Sequence, residues 1–591
     1  MKRTRTLLAT TLALTLASCG QQLHTPAPTA GQPATSQPGA DNEVIAGAYL
    51  VGFKQGALSA QGMTGQSLSE QAAVQAQAIT AAGGVMTSQW TEISAAAVKL
   101  SPEALSKLEK NPLVEYVEPD LVRRAQGFKS GSTDAGASKG GNLSSLALTT
   151  PPYTASGEYT WGDNALKVEQ LRASNYTGAG VAVCIGDTGI DGNHPEFQKK
   201  IKGFKNFTAD LNRNDPYQLN DVSHHGTHVA GTVFAQYGAG TGASGLQSGM
   251  DANGVGGVAS GVNLYMARVL GDDGSGSSSG IINGVNWCAA QLKSQGGTES
   301  KVVISLSLGG GRASQTEQRA YTSVYNKGVL TVAATGNDGA AVSYPAAYTN
   351  VVGVGAIDSA EARASFSNFG SQVDLVGPGV SVLSSIPLGQ GTRASASGGG
   401  VTFTDVSAAD KSGKATFSGA IVKAGDGTGT AGANEFCGTS TRNAALSGNI
   451  ALIARGTCSF EEKTANAVAS GAKAVMIYNN AAGPLGTSLT NAYSVPVVGI
   501  LQADGQALLG KLPTTGTVAV TGADYDFFDG TSMATPHVSA AAAVVWAAKP
   551  TLTNTQLLNL LTSTAKDLGA AGKDNDFGSG LVNPLKAITG Q

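Results

Sequence analysis

The chain of 591 residues is too long for a single hydrophobic core, which points to about three or four separable units. Its 80 glycines, 13% charged residues and 6% aromatics suit a tightly turned protein whose elements meet through small side chains. The 41% hydrophobic content excludes a disordered chain. A net charge of −3, with the basic residues dispersed, excludes the positive stripe that a nucleic-acid binder needs.

Lys2, Arg3 and Arg5 precede an apolar run over 7–16 that is too short to span a bilayer, so residues 1–19 read as an export signal. The run closes on Leu16-Ala17-Ser18-Cys19, which resembles a bacterial lipoprotein signal with Cys19 as the lipidated residue. A plain signal peptide ending near a cysteine is the alternative. Residues 20–42, rich in Pro, Thr, Gln and Gly, read as a flexible tether. Over 43–124 the pattern predicts a strand at 48–54, a helix at 67–82, and strands at 85–93 and 95–100. A helix at 102–110 opened by Pro102 and a last strand at 113–117 follow. That order is the split βαβ arrangement of a small α+β unit. Residues 125–154 are small and polar and read as an exposed linker where processing occurs.

From 155 to 390, strands predicted at 181–186, 263–270, 302–307 and 330–334 alternate with helical stretches, which argues for an α/β fold with a parallel sheet. A Ser/Gly/Thr-rich segment breaks the rhythm, a separate block occupies 391–523, and the α/β pattern resumes over 524–591. No segment beyond the signal is apolar enough for a membrane helix. Of the five cysteines, Cys437 and Cys458 lie close together in the inserted block and are expected to pair in an oxidising compartment. Cys184, in a strand-like run, and Cys288, in a helix-like one, read as buried thiols packed as small hydrophobes.

Five of the six histidines fall in three short stretches. In "VAVCIGDTGIDGNHPEF" an apolar run ends at Asp187, the carboxyl end of a buried parallel strand, where open α/β sheets bind ligands. In "SHHGTHVAGTVFA" His225 opens a helix packed closely through Ala230 and Gly231. In "FFDGTSMATPHVSAAAAVV" Ser532 stands at the mouth of an Ala-rich helix, with Pro536 expected in its first turn. Taken singly these are a capping aspartate, a structural histidine and a helix cap. Taken together, "DTGID", "HGTHVAGT" and "GTSMATPH" resemble the catalytic signatures of subtilisin-like proteases. That resemblance implies a Ser532 nucleophile, a His225 base and an Asp187 that orients it. A hydroxyl needs such a base at neutral pH, and histidine titrates in the right range.

The family likeness implies further assignments. "VLTVAATGNDG" resembles the oxyanion segment, which makes Asn337 a donor beside the Ser532 N–H. "SLSLGG" resembles the edge that pairs with substrate backbone through Ser307, Leu308 and Gly309, and "GDDGSG" the opposing edge through Gly274, Ser275 and Gly276. Ala334, Thr335 and Gly336 are expected to line the pocket before the cleaved bond, with apolar or broad preference. "YLVGFK" and "VEYVEPD" resemble the ends of a subtilisin-type propeptide, which serves as an intramolecular inhibitor, and "GNIALIARGTCSFEEKTANAVASGAKAVMIYNN" resembles a protease-associated domain. Protein or peptide substrates, a lipid anchor on the propeptide side and a monomeric enzyme complete the expectation. The chemistry calls for no cofactor. Structural calcium near Glu196, Asp251 and Asn253 stands beside the alternative of ordinary solvated loops. The glutamate of H-E-x-x-H is missing around His224, His225 and His228, which argues against a zinc site.

Overall fold

A computed structural model describes residues 43–54, 68–129, 153, 157–210, 212–238, 254–409, 411–425, 435–438, 441–483 and 485–591. The signal with Cys19, the tether at 20–42 and most of the linker lie outside the described residues, as do Asp251 and Asn253. Among the described residues no helix is long and apolar enough to cross a membrane.

A seven-stranded parallel sheet ends one of its strands at Asp187 and is flanked by the helices that begin at His225 and Thr531. Its order is Leu375–Pro378, Val351–Ile357, Leu330–Ala334, Val302–Leu306, Ala182–Asp187, Asn263–Arg268 and Ile201–Asn206. The four predicted strands are contiguous and are four of the five inner ones. Ala182–Asp187, Val302–Leu306 and Leu330–Ala334 are buried along their whole length, so the sheet is covered on both faces. The helix Thr531–Ala548 lies against the strands from Leu375–Pro378 to Val302–Leu306 and packs on the helix His225–Phe234. The helices Ser278–Ala289 and Gln315–Asn326 pack on each other and on the same sheet. Cys184 and Cys288 are not free thiols. They form a disulfide with an S–S distance of 2.03 Å, because the strand Ala182–Asp187 and the helix Ser278–Ala289 bring their Cα atoms to 5.7 Å. Sequence reading missed it because the 104 intervening residues hide that packing.

The N-terminal unit arranges its strands Val114–Ala125, Val44–Phe53, Ala95–Lys99 and Val85–Trp90 in that spatial order, with the helices Leu68–Ala82 and Pro102–Glu109 between them in sequence. Two predicted boundaries shift. The strand expected to reach 93 stops at Trp90 and closes in a 3₁₀ turn, Thr91–Ile93. The strand expected at 113–117 instead runs to Ala125. Its second half pairs with Ser275–Ser277 and Leu308–Gly309 of the sheet domain, partners about 150 or more residues away in sequence. The start of the expected linker is therefore ordered, and Phe128–Lys129 pairs in turn with Tyr525–Asp529.

The inserted block forms its own eight-stranded mixed sheet, with the strands Gly391–Gly398 and Thr514–Ala523 side by side where it leaves and rejoins the chain. Its two apolar cores consist only of insert residues. The expected disulfide, Cys437–Cys458, is present with an S–S distance of 2.05 Å.

Candidate active site

The strand Ala182–Asp187 delivers Asp187, fully buried, to the carboxyl edge of the sheet. Its Oδ1 accepts the Thr188 N–H and lies 2.7 Å from His225 Nδ1. His225 can be that close because its helix starts against the turn after Asp187. A Cβ on Gly226 would stand 2.1 Å from the Gly189 carbonyl oxygen, so only glycine permits the approach. Behind the pair, Asp221 locks the two segments together. It accepts Thr188 Oγ1 at 2.8 Å on one oxygen and the Thr227 N–H and hydroxyl on the other, while Thr188 Oγ1 accepts the Gly226 N–H. Burial opposes the charged form of His225, but the Asp187 charge and hydrogen bond outweigh it and raise the imidazole above its ordinary value.

Ser532 is the second residue of the helix Thr531–Ala548. Pro536 sits in the second turn, not the first, and its missing N–H leaves the Ser532 carbonyl without the usual helical partner. Ser307 Oγ donates to that carbonyl at 2.8 Å, and the Ser532 hydroxyl donates to the Ser307 carbonyl at 2.9 Å. The reciprocal pair pins the start of the helix to the end of the strand Val302–Leu306. His225 Nε2, on the side away from Asp187, has no hydrogen-bond partner among the described residues.

The chain's own residues occupy the space in front of these groups. The Gln126 carbonyl oxygen accepts the Ser532 N–H at 3.0 Å and Asn337 Nδ2 at 2.5 Å. Asn337 is held in that orientation because its Oδ1 accepts the N–H and hydroxyl of Thr531 at 2.9 and 2.8 Å. A carbonyl between two N–H donors at a helix start is set where negative charge on its oxygen would be stabilised. The next residue, Gly127, passes directly over the imidazole. A Cβ there would stand 2.8 Å from His225 Nε2 and 3.0 Å from Met533 Sδ.

A profile of the subtilase family matches residues 178–476 and 501–580. A profile of the peptidase inhibitor I9 matches residues 48–126 and so ends at Gln126. The chain is 33% identical over 346 residues to subtilisin NAT of Bacillus subtilis subsp. natto, covering 58% of this chain and 74% of the relative. The chain belongs to the subtilase family. It is 35% identical over 300 residues to M-protease of Shouchella clausii, which covers 51% of this chain and 64% of that protein. Among solved structures it resembles the psychrophilic subtilisin-like protease Apa1 from Pseudoalteromonas sp. AS-11, with 31% identity and a TM-score of 0.50 over 72% of this chain and 96% of that one. Fervidolysin from Fervidobacterium pennivorans shares the fold, with 20% identity and a TM-score of 0.53 over 94% of this chain and 62% of that one. The protein is a subtilisin-type serine endopeptidase with an I9 propeptide.

In this subtilase both predicted edges flank the segment that ends at Gln126. Arg123 and Arg124 pair with Gly276 and Ser275, and the Ala125 N–H bonds to the Gly274 carbonyl at 3.0 Å. On the other side Ala125 and Arg124 pair with Leu308 and Gly309, and the Gln126 N–H bonds to the Ser307 carbonyl at 3.1 Å. Gly309 faces the Gln126 side chain, where a Cβ would lie 3.5 Å from its Nε2. Ala334, Thr335 and Gly336 are buried just before Asn337. The Thr335 N–H bonds to the Val354 carbonyl and the Gly336 N–H to Thr531 Oγ1, so the trio braces the Asn337 loop.

The propeptide grips the catalytic unit through carboxylates that sequence reading did not single out. Glu118 takes the Gln315 and Thr316 N–H groups and two hydroxyls at the start of the helix Gln315–Asn326. Asp120 takes the N–H and hydroxyl of Ser279 at the start of Ser278–Ala289. The only signal was their place in "VEYVEPD".

The histidine cluster is dispersed. His228 Nε2 lies 2.9 Å from the Val382 carbonyl, its ring stacks on Phe528 at 4.5 Å, and burial pushes its pKa down to about 3. The calcium candidate Glu196 is fully buried, and its Oε1 accepts the Val255 N–H and the Tyr525 hydroxyl. Among the described residues no cluster of three His, Cys, Asp or Glu side chains surrounds it. The other two calcium candidates, Asp251 and Asn253, lie outside the described residues.

Proposed function

We propose that this subtilase matures by cutting its own Gln126–Gly127 bond through Ser532, His225 and Asp187. The Gln126 carbonyl oxygen between the Ser532 N–H and the Asn337 amide is the observation that carries this reading. The I9 match ending at the same residue supports it. The Ser532 hydroxyl leaves the Ser307 carbonyl, gives its proton to His225 Nε2 and attacks the Gln126 carbonyl carbon. The two N–H donors hold the resulting oxyanion, and Asp187 stabilises the imidazolium. As the Gln126–Gly127 bond breaks, His225 returns the proton to the Gly127 amine. Water then repeats the cycle on the acyl-enzyme. The chemistry draws on no cofactor.

We further propose an exported, monomeric preproenzyme of broad protein specificity, with 391–523 as a protease-associated domain that influences substrate access. If Cys19 is lipidated, the anchor lies on the propeptide side, and cleavage at Gln126 frees the catalytic part from the membrane. Intact masses of the wild-type chain and Ser532→Ala test the whole reading. The wild type is expected to yield a product beginning at Gly127 without lipid, and Ser532→Ala to keep its propeptide. Equal masses, or a mature product still bearing Cys19, would contradict it.

A further inference from the structure

The strand leading to Gln126 alternates its side chains, and that alternation separates two neighbouring arginines. Arg124 points outward and pairs with Glu43, with 37% and 49% of the two side chains exposed. Arg123, the fourth residue back from the Gln126–Gly127 bond, points inward, and its side chain is only 1% exposed. It ends on Glu317, itself 1% exposed, in the first turn of the helix Gln315–Asn326. Arg123 Nε donates to Glu317 Oε1 at 3.0 Å and Nη2 to Oε2 at 2.7 Å, a two-pronged contact. Nη2 also reaches the Arg312 carbonyl at 2.8 Å, while Nη1 finds no partner among the described residues.

Glu317 does not depend on the propeptide for its position. The Tyr348 hydroxyl donates to Oε2 at 2.8 Å, Ser278 Oγ donates to Oε1, and Ser314 Oγ accepts the Glu317 N–H at 3.1 Å. All of these belong to the catalytic unit. When the propeptide leaves, the pocket therefore keeps a preset carboxylate and loses the Arg123 guanidinium. A buried or half-buried charge left without its partner is costly, so the pocket favours a ligand that restores the cation. Both carboxylate oxygens were used at once, which favours the planar fork of arginine over the point charge of lysine.

We infer that Glu317 is a specificity-determining residue that makes the mature protease prefer substrates with arginine four residues before the cleaved bond. The inference rests on the assignment of Gln126–Gly127 as the bond presented to Ser532. It narrows the broad preference expected from the sequence, by placing the selective charge away from the pocket next to the cleaved bond.

The test uses enzyme matured from the full chain and internally quenched peptides Xaa-Ala-Ala-Gln-Gly, with Xaa as Arg, Lys, Ala, Leu or Glu. The wild type is expected to cut the Arg peptide with a kcat/KM about 30-fold or more above the Ala and Leu peptides. Lys should fall between them and Glu last. In Glu317→Gln the Arg-to-Ala ratio is expected to collapse towards one. Equal wild-type rates for Arg, Ala and Leu would overturn the inference, as would a ratio that survives in Glu317→Gln. If Glu317→Gln fails to mature, the wild-type series alone decides. Failure of the protease reading would look different, since no peptide in the series would then be cut faster than by Ser532→Ala.

Discussion

The propeptide and the insert are both small α+β attachments to one sheet domain, yet they hold it in different ways. The propeptide shares an apolar core with the catalytic unit, in which Leu50, Trp90, Ile93, Ala95 and Ala97 meet Ile282 and Ala320. It adds the buried carboxylate caps and the Arg123–Glu317 contact, and it ends in the cleft with its carbonyl on Ser532 and Asn337. The insert keeps its cores to itself and joins through a continuous hairpin, where Val382–Ser385 pairs with Tyr525–Asp529 and Gly391 with Ala523. At that junction the insert's Lys414 Nζ donates to the Gly389 carbonyl of the body at 2.7 Å. An attachment that must leave is wired into the reacting groups, and one that stays is joined by backbone and packs alone.

The largest expected effect should fall wholly on the propeptide side of this comparison. Asp187→Asn is expected to slow propeptide release and peptide hydrolysis by about 10⁴ in kcat, because the wrong tautomer of His225 then faces Ser532. The pH profile carries a second signature. His225 must be neutral to take the proton, and Asp187 raises its pKa, so the wild-type rate should fall on acidification through a midpoint above 6.5. Removing the carboxylate should move that acid limb to lower pH. A limb that does not move would mean that another group limits the rate. The insert should stay folded, as judged by its hydrogen-exchange protection.

A smaller effect is expected at Glu118, which caps a helix of the catalytic unit but touches no reacting group. In the uncut Ser532→Ala chain, Glu118→Ala should lower stability by about 1–3 kcal/mol, read from the denaturant midpoint. The corresponding loss should be absent from the mature enzyme, which no longer contains residue 118. An equal loss from changing a comparably exposed carboxylate of the insert would erase the distinction between the two attachments.

Much of this was legible in the chain. An apolar run ending at Asp187, a His225 followed by Gly226 and a Ser532 at the start of an Ala-rich helix are local patterns, and each fixes a side chain at an element end. What was hidden depends on contacts across the fold. Nothing in the residues around Cys184 announces Cys288, since only the packing of a helix on a strand brings them together. The strand at 114–125 could not be read to its end because its last partners, Ser275–Ser277 and Leu308–Gly309, lie in another unit. Glu317 looks like any helical surface glutamate, and only the folded propeptide reveals it as the floor of a pocket. Pro536 was expected at a helix start because the sequence cannot show that Ser307 serves the carbonyl it leaves without a partner.

The two disulfides give the smallest expected catalytic effect and the finest test of the comparison. Cys184–Cys288 ties the strand bearing Asp187 to a helix behind the cleft and closes 104 residues, whereas Cys437–Cys458 closes 21 residues inside the insert. Chain-entropy reasoning assigns about 5 kcal/mol to the first and about 3 kcal/mol to the second. Paired Cys437→Ser and Cys458→Ser changes should therefore loosen the insert by about 3 kcal/mol, seen as faster hydrogen exchange over its strands. The kcat/KM on short peptides should stay within about twofold of wild type, because among the described residues the insert's cores are separate from the sheet domain's core. A tenfold loss on short peptides would show that strain from the insert reaches Ser532 through the hairpin. The strand Tyr525–Asp529, which runs directly into the Ser532 helix, is the route it would take.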